Sequence, residues 1–210
     1  MLAAKLEEGT LIAYEINGLN WITTLKYTEF TCEPECRIIF PENHLQTVFN
    51  HCRRKLFERF VQDETRERKA FGLLAGTKDG LTFTVEKCFP LLKNVRTQDS
   101  YKEYMDQVMA QHAVPSETPL FQRGWIADPE ELVNYVKQIQ KDNLLLLGTY
   151  HMHRVAWPDD PRRETPTTLD TVLAADSRML LFIVSMVNPE QPIIRTFYEG
   201  NPDREISIIT

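Results

Sequence analysis

The sequence predicts an α/β layered domain, and three patterns in the chain lead to that fold class. An apolar periodicity of three and four residues after Pro41 predicts an amphipathic helix. A short aliphatic run closed by glycine, Leu144–Gly148, predicts a buried strand. Helical and strand-like segments then alternate along the chain, which favours a layered α/β domain over a helical bundle or a β-sandwich.

Length and composition indicate about one globular domain with extensions. The 210 residues are 42% hydrophobic, which is enough for a full core. A net charge of -6 argues against nucleic acid or anionic membrane as partners, because both attract basic surfaces. Residues 1–8 carry charges where a signal peptide needs an apolar core, so we expect a soluble, cytoplasmic protein. Free thiols are expected at the four scattered cysteines, Cys32, Cys36, Cys52 and Cys88.

The first part of the chain predicts an N-terminal extension, a strand and a helix. Residues 1–36 form an N-terminal extension, in which residues 12–14 and 21–25 are candidate strands of an added β-hairpin. Residues 37–40 predict a strand, and Pro41 then opens a helix where its missing amide hydrogen has no cost. The buried stripe of that helix consists of Leu45, Val48, Phe49, Cys52, Leu56 and Phe60.

A hairpin, a long polar segment and a second helix come next. Residues 70–75 and 81–85 are apolar runs joined by a turn with an Asp-Gly step, which favours a hairpin. Residues 97–123 are mixed and polar, which predicts a functional or mobile loop with a short helix near residues 101–109. Asp128-Pro129-Glu130-Glu131 is typical of a helix start.

The last third of the chain predicts the strand that ends in two histidines, a helix from near Thr167, and three final strands. Those strands cover residues 179–186, 192–197 and 205–209.

Two histidines and an aspartate predict a metal site. His151 and His153 are two residues apart at the end of a predicted strand, so both side chains lie on one face. Two neutral imidazoles and one carboxylate, with a fourth position left to water, form a hydrolytic zinc site. The simpler interpretation is two partly buried histidines satisfied by hydrogen bonds. Thr167 and Asp170 also form a helix-capping pattern, and the capping and ligand roles of Asp170 are compatible.

These residues resemble the signature of the JAMM or MPN (JAB) metalloproteases, prokaryotic type: a His-x-His at a strand end, a serine, and an aspartate three residues later. Residues 71–76 look like the Gly-Leu-Leu-x-Gly strand of that family, 148–153 like its metal strand and 180–185 like the following strand. The resemblance covers residues 37–210. It implies an MPN/JAB-like domain, layered as in cytidine deaminases, with a central mixed β-sheet flanked by helices and with inserted loops near 97–123 and 154–163.

The resemblance also implies residue roles. His151, His153 and Asp170 would bind Zn²⁺, and Thr167 would replace the serine that supports the oxyanion. The implied substrate is the tail of a ubiquitin-like or sulfur-carrier protein, bound as an extended strand.

Three departures from the family pattern affect these roles. Arg154 stands where a proline is usual, and the gap before Thr167 is six residues longer than usual, so Glu164 is an alternative metal ligand. Lys69 occupies the usual position of the catalytic glutamate. Glu67 shares a strand face with it and is the candidate general base, although a solvated surface charge explains it equally well.

Two functions remain open from the sequence. The first is a zinc-dependent peptidase or isopeptidase that uses Glu67 and Thr167. The alternative is a non-catalytic MPN-like interaction module that keeps zinc but has lost its general base. An amidohydrolase-type barrel is disfavoured, because it needs roughly 250 residues.

Overall fold

Seven β-strands of this chain close into a barrel. The computed structural model describes residues 4–7, 10–13, 25–26, 32, 35–115 and 118–210. A separate antiparallel sheet contains β1 (Ala4–Glu7), β2 (Thr10–Ala13) and β3 (Leu25–Lys26). The barrel contains β4 (Arg37–Ile39), β5 (Phe71–Asp79), β6 (Thr82–Leu91), β7 (Leu145–His153), β8 (Leu180–Ser185), β9 (Ile193–Tyr198) and β10 (Glu205–Ile209). Around the barrel the order is β10-β4-β6-β5-β7-β8-β9.

Within the described residues, four α-helices accompany the barrel: α1 (Glu42–Leu56), α2 (Asp99–His112), α3 (Pro129–Lys141) and α4 (Thr168–Ala174). The helix starts predicted after Pro41 and at Asp128 are confirmed, and Asp128 caps α3 by accepting a hydrogen bond from the Glu131 amide. None of the helices in the described residues has the length and apolarity needed to cross a membrane.

Two predicted segments differ from, or extend beyond, what the structure describes. The polar stretch 97–123 is more helical than predicted: the short helix expected near residues 101–109 is confirmed within the 14-residue α2, and a short 3₁₀ turn follows at Leu120–Gln122. Of the candidate N-terminal hairpin, residues 12 and 13 lie in β2 and residue 25 lies in β3, and these two strands pair. Residues 14 and 21–24 of that prediction lie outside the described residues.

The predicted fold class is wrong. An MPN/JAB-like layered domain was expected, with an open central mixed sheet between flanking helices, whereas the strands form a closed mixed barrel. Closure comes from β10, which pairs antiparallel with β9 and parallel with β4. Only three residue pairs join β10 to β4, from Ser207↔Arg37 to Ile209↔Ile39. Hydrophobic periodicity identifies strands but does not show which edges of a sheet pair with each other. The closure of the barrel could therefore not be predicted from the sequence.

The barrel wall has two apolar faces, each covered by a different helix. On one face, side chains such as Leu74, Tyr150 and Phe182 pack with the buried stripe of α1. On the opposite face, Leu73 and Leu146 pack with α3. The Tyr150 hydroxyl lies 2.7 Å from Nδ1 of His51 in α1, which confirms the direction of that side chain.

A β-bulge in β7 reverses the alternation of its side chains. Leu74 pairs with Gly148 but Ala75 pairs with Leu146, so Leu147 is an extra residue in β7. Leu147 and Tyr150 consequently pack on the same face although they are three residues apart. From Gly148 onward the odd-numbered residues of β7, including both histidines, point away from α1.

Glycine is required where β7 and β8 approach each other at this bulge. A Cβ on Gly148 would lie 1.9 Å from the backbone oxygen of Leu180, which is closer than any real contact. Gly148 pairs with Leu180 at the start of the parallel β7–β8 ladder. A side chain at this position would therefore separate the two strands that support the histidines.

A buried ion cluster fixes the segment between α1 and β5. Arg54 Nη2 donates to Glu64 Oε1 at 2.8 Å, and Lys55 Nζ lies 3.3 Å from the same oxygen. The Lys55 and Glu64 side chains are fully buried. Lys55 also donates to the Thr65 carbonyl oxygen at 2.8 Å, so the cluster holds the backbone directly before residues 67 and 69.

We expect the Glu64 carboxylate to make unfolding pH-dependent. Burial raises the pKa of Glu64, but hydrogen bonds from Arg54 and the Val61 amide, with the Lys55 charge, outweigh burial and lower the pKa from 4.5 to about 2. Because the folded-state pKa is depressed, the stabilisation is complete above the unfolded pKa and is lost as the pH falls from 4.5 towards about 2. Glu64→Gln should lower the unfolding free energy at neutral pH by about 3 kcal/mol, because it leaves a buried Lys55 charge without its carboxylate.

Urea unfolding of wild type and Glu64→Gln over this pH range measures both effects. The control is Glu58→Gln, since Glu58 forms an exposed pair with Arg68 and should contribute about 1 kcal/mol or less. Equal acid sensitivity of wild type and Glu64→Gln would contradict the assignment.

Candidate metal centre

His151, His153 and Asp170 meet at the end of β7. The two histidines occupy the strand end, and Asp170 lies in the first turn of α4. Nε2 of His151 lies 3.0 Å from Nε2 of His153, and the Asp170 carboxylate oxygens lie 3.2 Å from Nε2 of His151 and 3.4 Å from Nε2 of His153. This group of donor atoms could hold a metal ion.

The spacing of these atoms fits one tetrahedral ion. Zinc-ligand bonds of about 2.0–2.1 Å at tetrahedral angles place neighbouring ligand atoms about 3.3 Å apart. The two separations that join His151 Nε2 to His153 Nε2 and to Asp170 Oδ1, 3.0 and 3.2 Å, are close to that value. Without a cation, two imidazole nitrogens and a carboxylate at this distance would need a proton between them.

The His153 ring is oriented for ligation by its second nitrogen. Nδ1 of His153 lies 3.1 Å from the carbonyl oxygen of Arg163, to which it can only donate. In the neutral ring this places the hydrogen on Nδ1 and leaves a lone pair on Nε2, which faces His151 and Asp170. Burial is the largest cause that lowers the pKa of His153, and the pKa stays below its ordinary value although Asp170 raises it, which favours the neutral ring.

Two aromatic rings support His151. The Phe71 ring lies parallel to the His151 ring, with 6.0 Å between centroids and a 5° angle between planes. Trp125 in turn stacks on the other side of Phe71 at 6.1 Å and 6°. Phe71 pairs with His151 across β5 and β7, so the strand register sets this stack.

Asp170 is held by a capping box at the start of α4. Its Oδ2 accepts hydrogen bonds from the Thr167 amide and from the Thr167 hydroxyl, both at 2.7 Å, while Thr167 Oγ1 accepts from the Asp170 amide at 3.2 Å. Oδ1 remains for a metal ion. Burial raises the pKa of Asp170, but the charges and hydrogen bonds of His151 and His153 outweigh it and hold the pKa well below the ordinary value.

The structure places the predicted catalytic residue Thr167 beside the site but directs its hydroxyl proton to Asp170. A hydroxyl has one proton, so it cannot donate to a substrate oxygen at the same time. The role of Thr167 that the structure supports is orientation of Asp170, and its predicted oxyanion role stays a prediction.

Glu164, the alternative ligand, does not join the histidines. Its buried carboxylate contacts Arg162 and lies 3.3 Å from Arg195 Nη1. The insertion over residues 154–163 makes this possible, because it folds back on itself through a Trp157↔Asp160 bridge and an Arg163–Asp160 ion pair of 3.2 Å. The six additional residues between His153 and Thr167 therefore do not prevent Asp170 from reaching the histidines.

Glu67, the predicted general base, is engaged by two other side chains. Lys69 Nζ lies 2.7 Å from Glu67 Oε2, and Asn94 Nδ2 donates to Glu67 Oε1 at 2.6 Å. Lys69 lines the cavity next to the histidines, whereas Glu67 is not among the residues that line it. The partner of Glu67 in this ion pair therefore lines the cavity, while Glu67 itself does not.

A cavity of about 910 Å³ opens on the three candidate ligands. Its walls come from α2, α4, β7 and the segment around Trp125. This volume lies at the upper end of the range for small-molecule sites, and one wall carries the candidate metal-binding group.

Several supporting residues were not found by sequence reasoning. Phe71 appeared only as a member of an apolar stretch and Trp125 was not singled out, because the ring stack depends on strand register and on a loop far along the chain. Arg163 acts through its carbonyl oxygen, which no side-chain pattern reveals. Of these residues, only Phe71 could have been suspected from the sequence, as an aromatic residue two positions after Lys69.

Comparisons with known proteins concern the fold. No family model and no curated protein matches the chain. Among solved structures, the chain is similar to the solution structure of protein DSY2949 from Desulfitobacterium hafniense, with 24% identity and a TM-score of 0.54, over 82% of this chain and 91% of that chain. At this level of identity the likeness describes a shared fold and assigns neither a family nor an activity.

We expect the three residues to bind one divalent ion together. Wild type should bind about one equivalent of zinc, and His153→Ala and Asp170→Asn should each lower the affinity by more than roughly 100-fold, which exceeds the usual effect of removing a supporting partner. Metal analysis after dialysis, with competition against a chromophoric chelator, measures this.

Glu164→Gln is the matched control, because this buried carboxylate contacts Arg162 and Arg195 instead of the histidines. If Glu164→Gln loses zinc while Asp170→Asn keeps it, the carboxylate ligand is Glu164 and not Asp170.

Proposed function

We propose that this chain is a zinc-dependent hydrolase of peptide or isopeptide bonds. The single observation that supports it is the convergence of two imidazole nitrogens and one carboxylate oxygen on a wall of a large cavity. Magnesium and calcium are disfavoured because they prefer all-oxygen ligand sets, whereas two imidazoles with one carboxylate and an open position suit catalytic zinc or iron(II). Between these two ions, the resemblance to the JAMM signature favours zinc.

The chemistry follows from the residues around the site. Bound zinc would lower the pKa of a coordinated water and polarise the substrate carbonyl. Glu67 is the candidate group to accept the water proton and to pass it to the leaving amine, while the water oxygen bonds to the carbonyl carbon and the carbon-nitrogen bond breaks. Thr167 would keep Asp170 oriented through the capping box.

The choice of peptide or isopeptide bonds rests on the resemblance of the His-x-His and Thr-x-x-Asp pattern to the JAMM signature. The same resemblance suggests the tail of a ubiquitin-like or sulfur-carrier protein as substrate. An extended tail could reach the metal-binding group through the cavity between α2 and α4.

A second candidate function is a binding module that uses zinc for stability alone. The contacts of Glu67 favour it, since an ion pair with Lys69 and a hydrogen bond from Asn94 neutralise and occupy the carboxylate. A general base must reach the water from which it takes a proton, and these contacts would have to rearrange on substrate binding.

Hydrolysis assays separate the two candidates. We expect zinc-loaded wild type to cleave a peptide-extended ubiquitin-like protein, and Glu67→Gln to lower kcat by roughly 100-fold or more while zinc binding is unchanged, because loss of a general base affects the proton transfer alone. Steady-state kinetics with mass-spectrometric detection of both products measures this.

The control is Glu58→Gln, which removes a carboxylate from another ion pair, with Arg68, and should leave kcat unchanged. Zinc binding without any zinc-dependent cleavage in wild type, together with no effect of Glu67→Gln, would support the binding module and reject the hydrolase.

A further inference from the structure

Most of the cavity surface away from the metal-binding group is apolar. Helix α2 contributes Met105, Val108 and Met109, and α4 contributes Leu169 and Leu173. Binding is favourable when an apolar group displaces water from walls of this kind. The walls therefore favour a ligand with an aliphatic or aromatic side chain.

Three lysine or arginine residues line the same cavity, and two of them have carboxylate partners. Lys69 pairs with Glu67 at 2.7 Å, and Arg163 pairs with Asp160 at 3.2 Å while its guanidinium lies over the Trp157 ring. These two charges are neutralised within the protein.

Arg123 differs from the other two. Its Nη2 donates to the Val114 carbonyl oxygen at 2.9 Å, and within the described residues no carboxylate lies within ion-pair distance of it. Burial lowers the pKa of Arg123, yet the guanidinium stays charged at any physiological pH. A half-buried cation next to apolar walls gains from an anionic ligand that replaces lost hydration.

The backbone at Arg123 is held in place. Its carbonyl oxygen accepts a hydrogen bond from Nε of the buried Arg96 at 2.8 Å, and its amide donates to the Leu120 carbonyl oxygen at 2.9 Å. The next residue, Gly124, has φ of +80°, and its carbonyl oxygen accepts from Lys69 Nζ at 2.9 Å. Arg123 is thus a preorganised cation rather than part of a freely moving side-chain surface.

We propose that the cavity binds the carboxy-terminal residue of a peptide, with an apolar side chain against α2 and α4 and the terminal carboxylate paired with Arg123. A ligand that contacts both the metal-binding wall and Arg123 needs a carbonyl group at the metal-binding wall and an anionic group at Arg123. Between these two groups it needs an apolar part. A carboxy-terminal residue carries all three, whereas a fatty acid has a single polar end.

This inference narrows the proposed hydrolase function to peptide bonds and rests on it for the position of the cleaved bond. The bond would be the last peptide bond of the substrate. Water adds to its carbonyl carbon, the carbon-nitrogen bond breaks, the water proton goes to the amine, and a free apolar amino acid leaves.

Ligand binding tests the assignment without requiring turnover. Titration calorimetry of the zinc-loaded full chain would compare N-acetyl-L-leucine with N-acetyl-L-leucinamide, which differ in charge. In wild type the acid should bind at least about tenfold more tightly than the amide, because only the acid forms the charge-assisted pair. Arg123→Gln should abolish this difference, and Arg123→Lys should retain part of it.

Arg66→Gln is the matched control, since Arg66 is exposed and does not line the cavity, and it should keep the full difference. Val108→Trp, which adds bulk to the apolar wall, should weaken N-acetyl-L-leucine and spare N-acetylglycine. Equal affinity of acid and amide in wild type, or an unchanged difference in Arg123→Gln, would overturn the proposal. Tighter binding of octanoate than of N-acetyl-L-leucine would also overturn it, in favour of a fatty acid.

Failure of this inference and failure of the hydrolase proposal give different results. Selective binding of the acid without any peptide cleavage would reject the hydrolase and keep the ligand assignment. Zinc-dependent cleavage with the same kcat/KM for peptides ending in a free carboxylate and in an amide would keep the hydrolase and reject the role of Arg123.

Discussion

One extra residue in β7 determines on which side of the barrel the chemistry lies. Leu146 packs on the α3 side of the barrel wall, and strand side chains alternate. Without the bulge at Leu147, the even-numbered residues after Leu146 would also lie on the α3 side, and both histidines would point into the core around α1. With the bulge, Tyr150 fills that core and the histidines face the cavity. Gly148 makes the bulge possible, because only a residue without Cβ fits so close to Leu180.

The same strand register assembles the support of the metal-binding group. Pairing of Phe71 with His151 stacks their rings, and the loop that carries Trp125 completes the stack. On the other side, Asp170 is fixed by a short helix whose capping box uses the carboxylate oxygen that the ion does not need. Two donor atoms thus come from β7 and one from α4, and an ion would link these two elements as it binds. Metal binding and stability of this end of the barrel are therefore expected to be coupled.

Some charged groups of the protein are structural, and others are available to a ligand. The Lys55–Glu64 cluster and the Lys69–Glu67 pair neutralise their charges inside the protein and position the segment before β5. Arg123 is held by backbone contacts without a described carboxylate partner. A cavity that combines a candidate metal position, apolar walls and one such cation is suited to a ligand that carries a metal-binding polar group, an apolar part and an anionic group. The Glu67–Lys69 pair is the feature that separates a hydrolase from a binding module, since the carboxylate must be released before it can accept a proton.

Local pattern was enough to identify His151, His153 and Asp170, because two-residue spacing on a strand and an aspartate in a helix cap are determined by neighbours in the chain. It also located α1 and α3 through their apolar stripes and start signals. Other features depend on contacts between elements that the local pattern does not specify. These are the closed barrel, the bulge that determines which way the histidines point, the pairing of Glu164 with Arg195, and the position of Lys69 on the cavity wall beside Glu67. Such contacts are selected by the packing of whole elements, and no local periodicity records them.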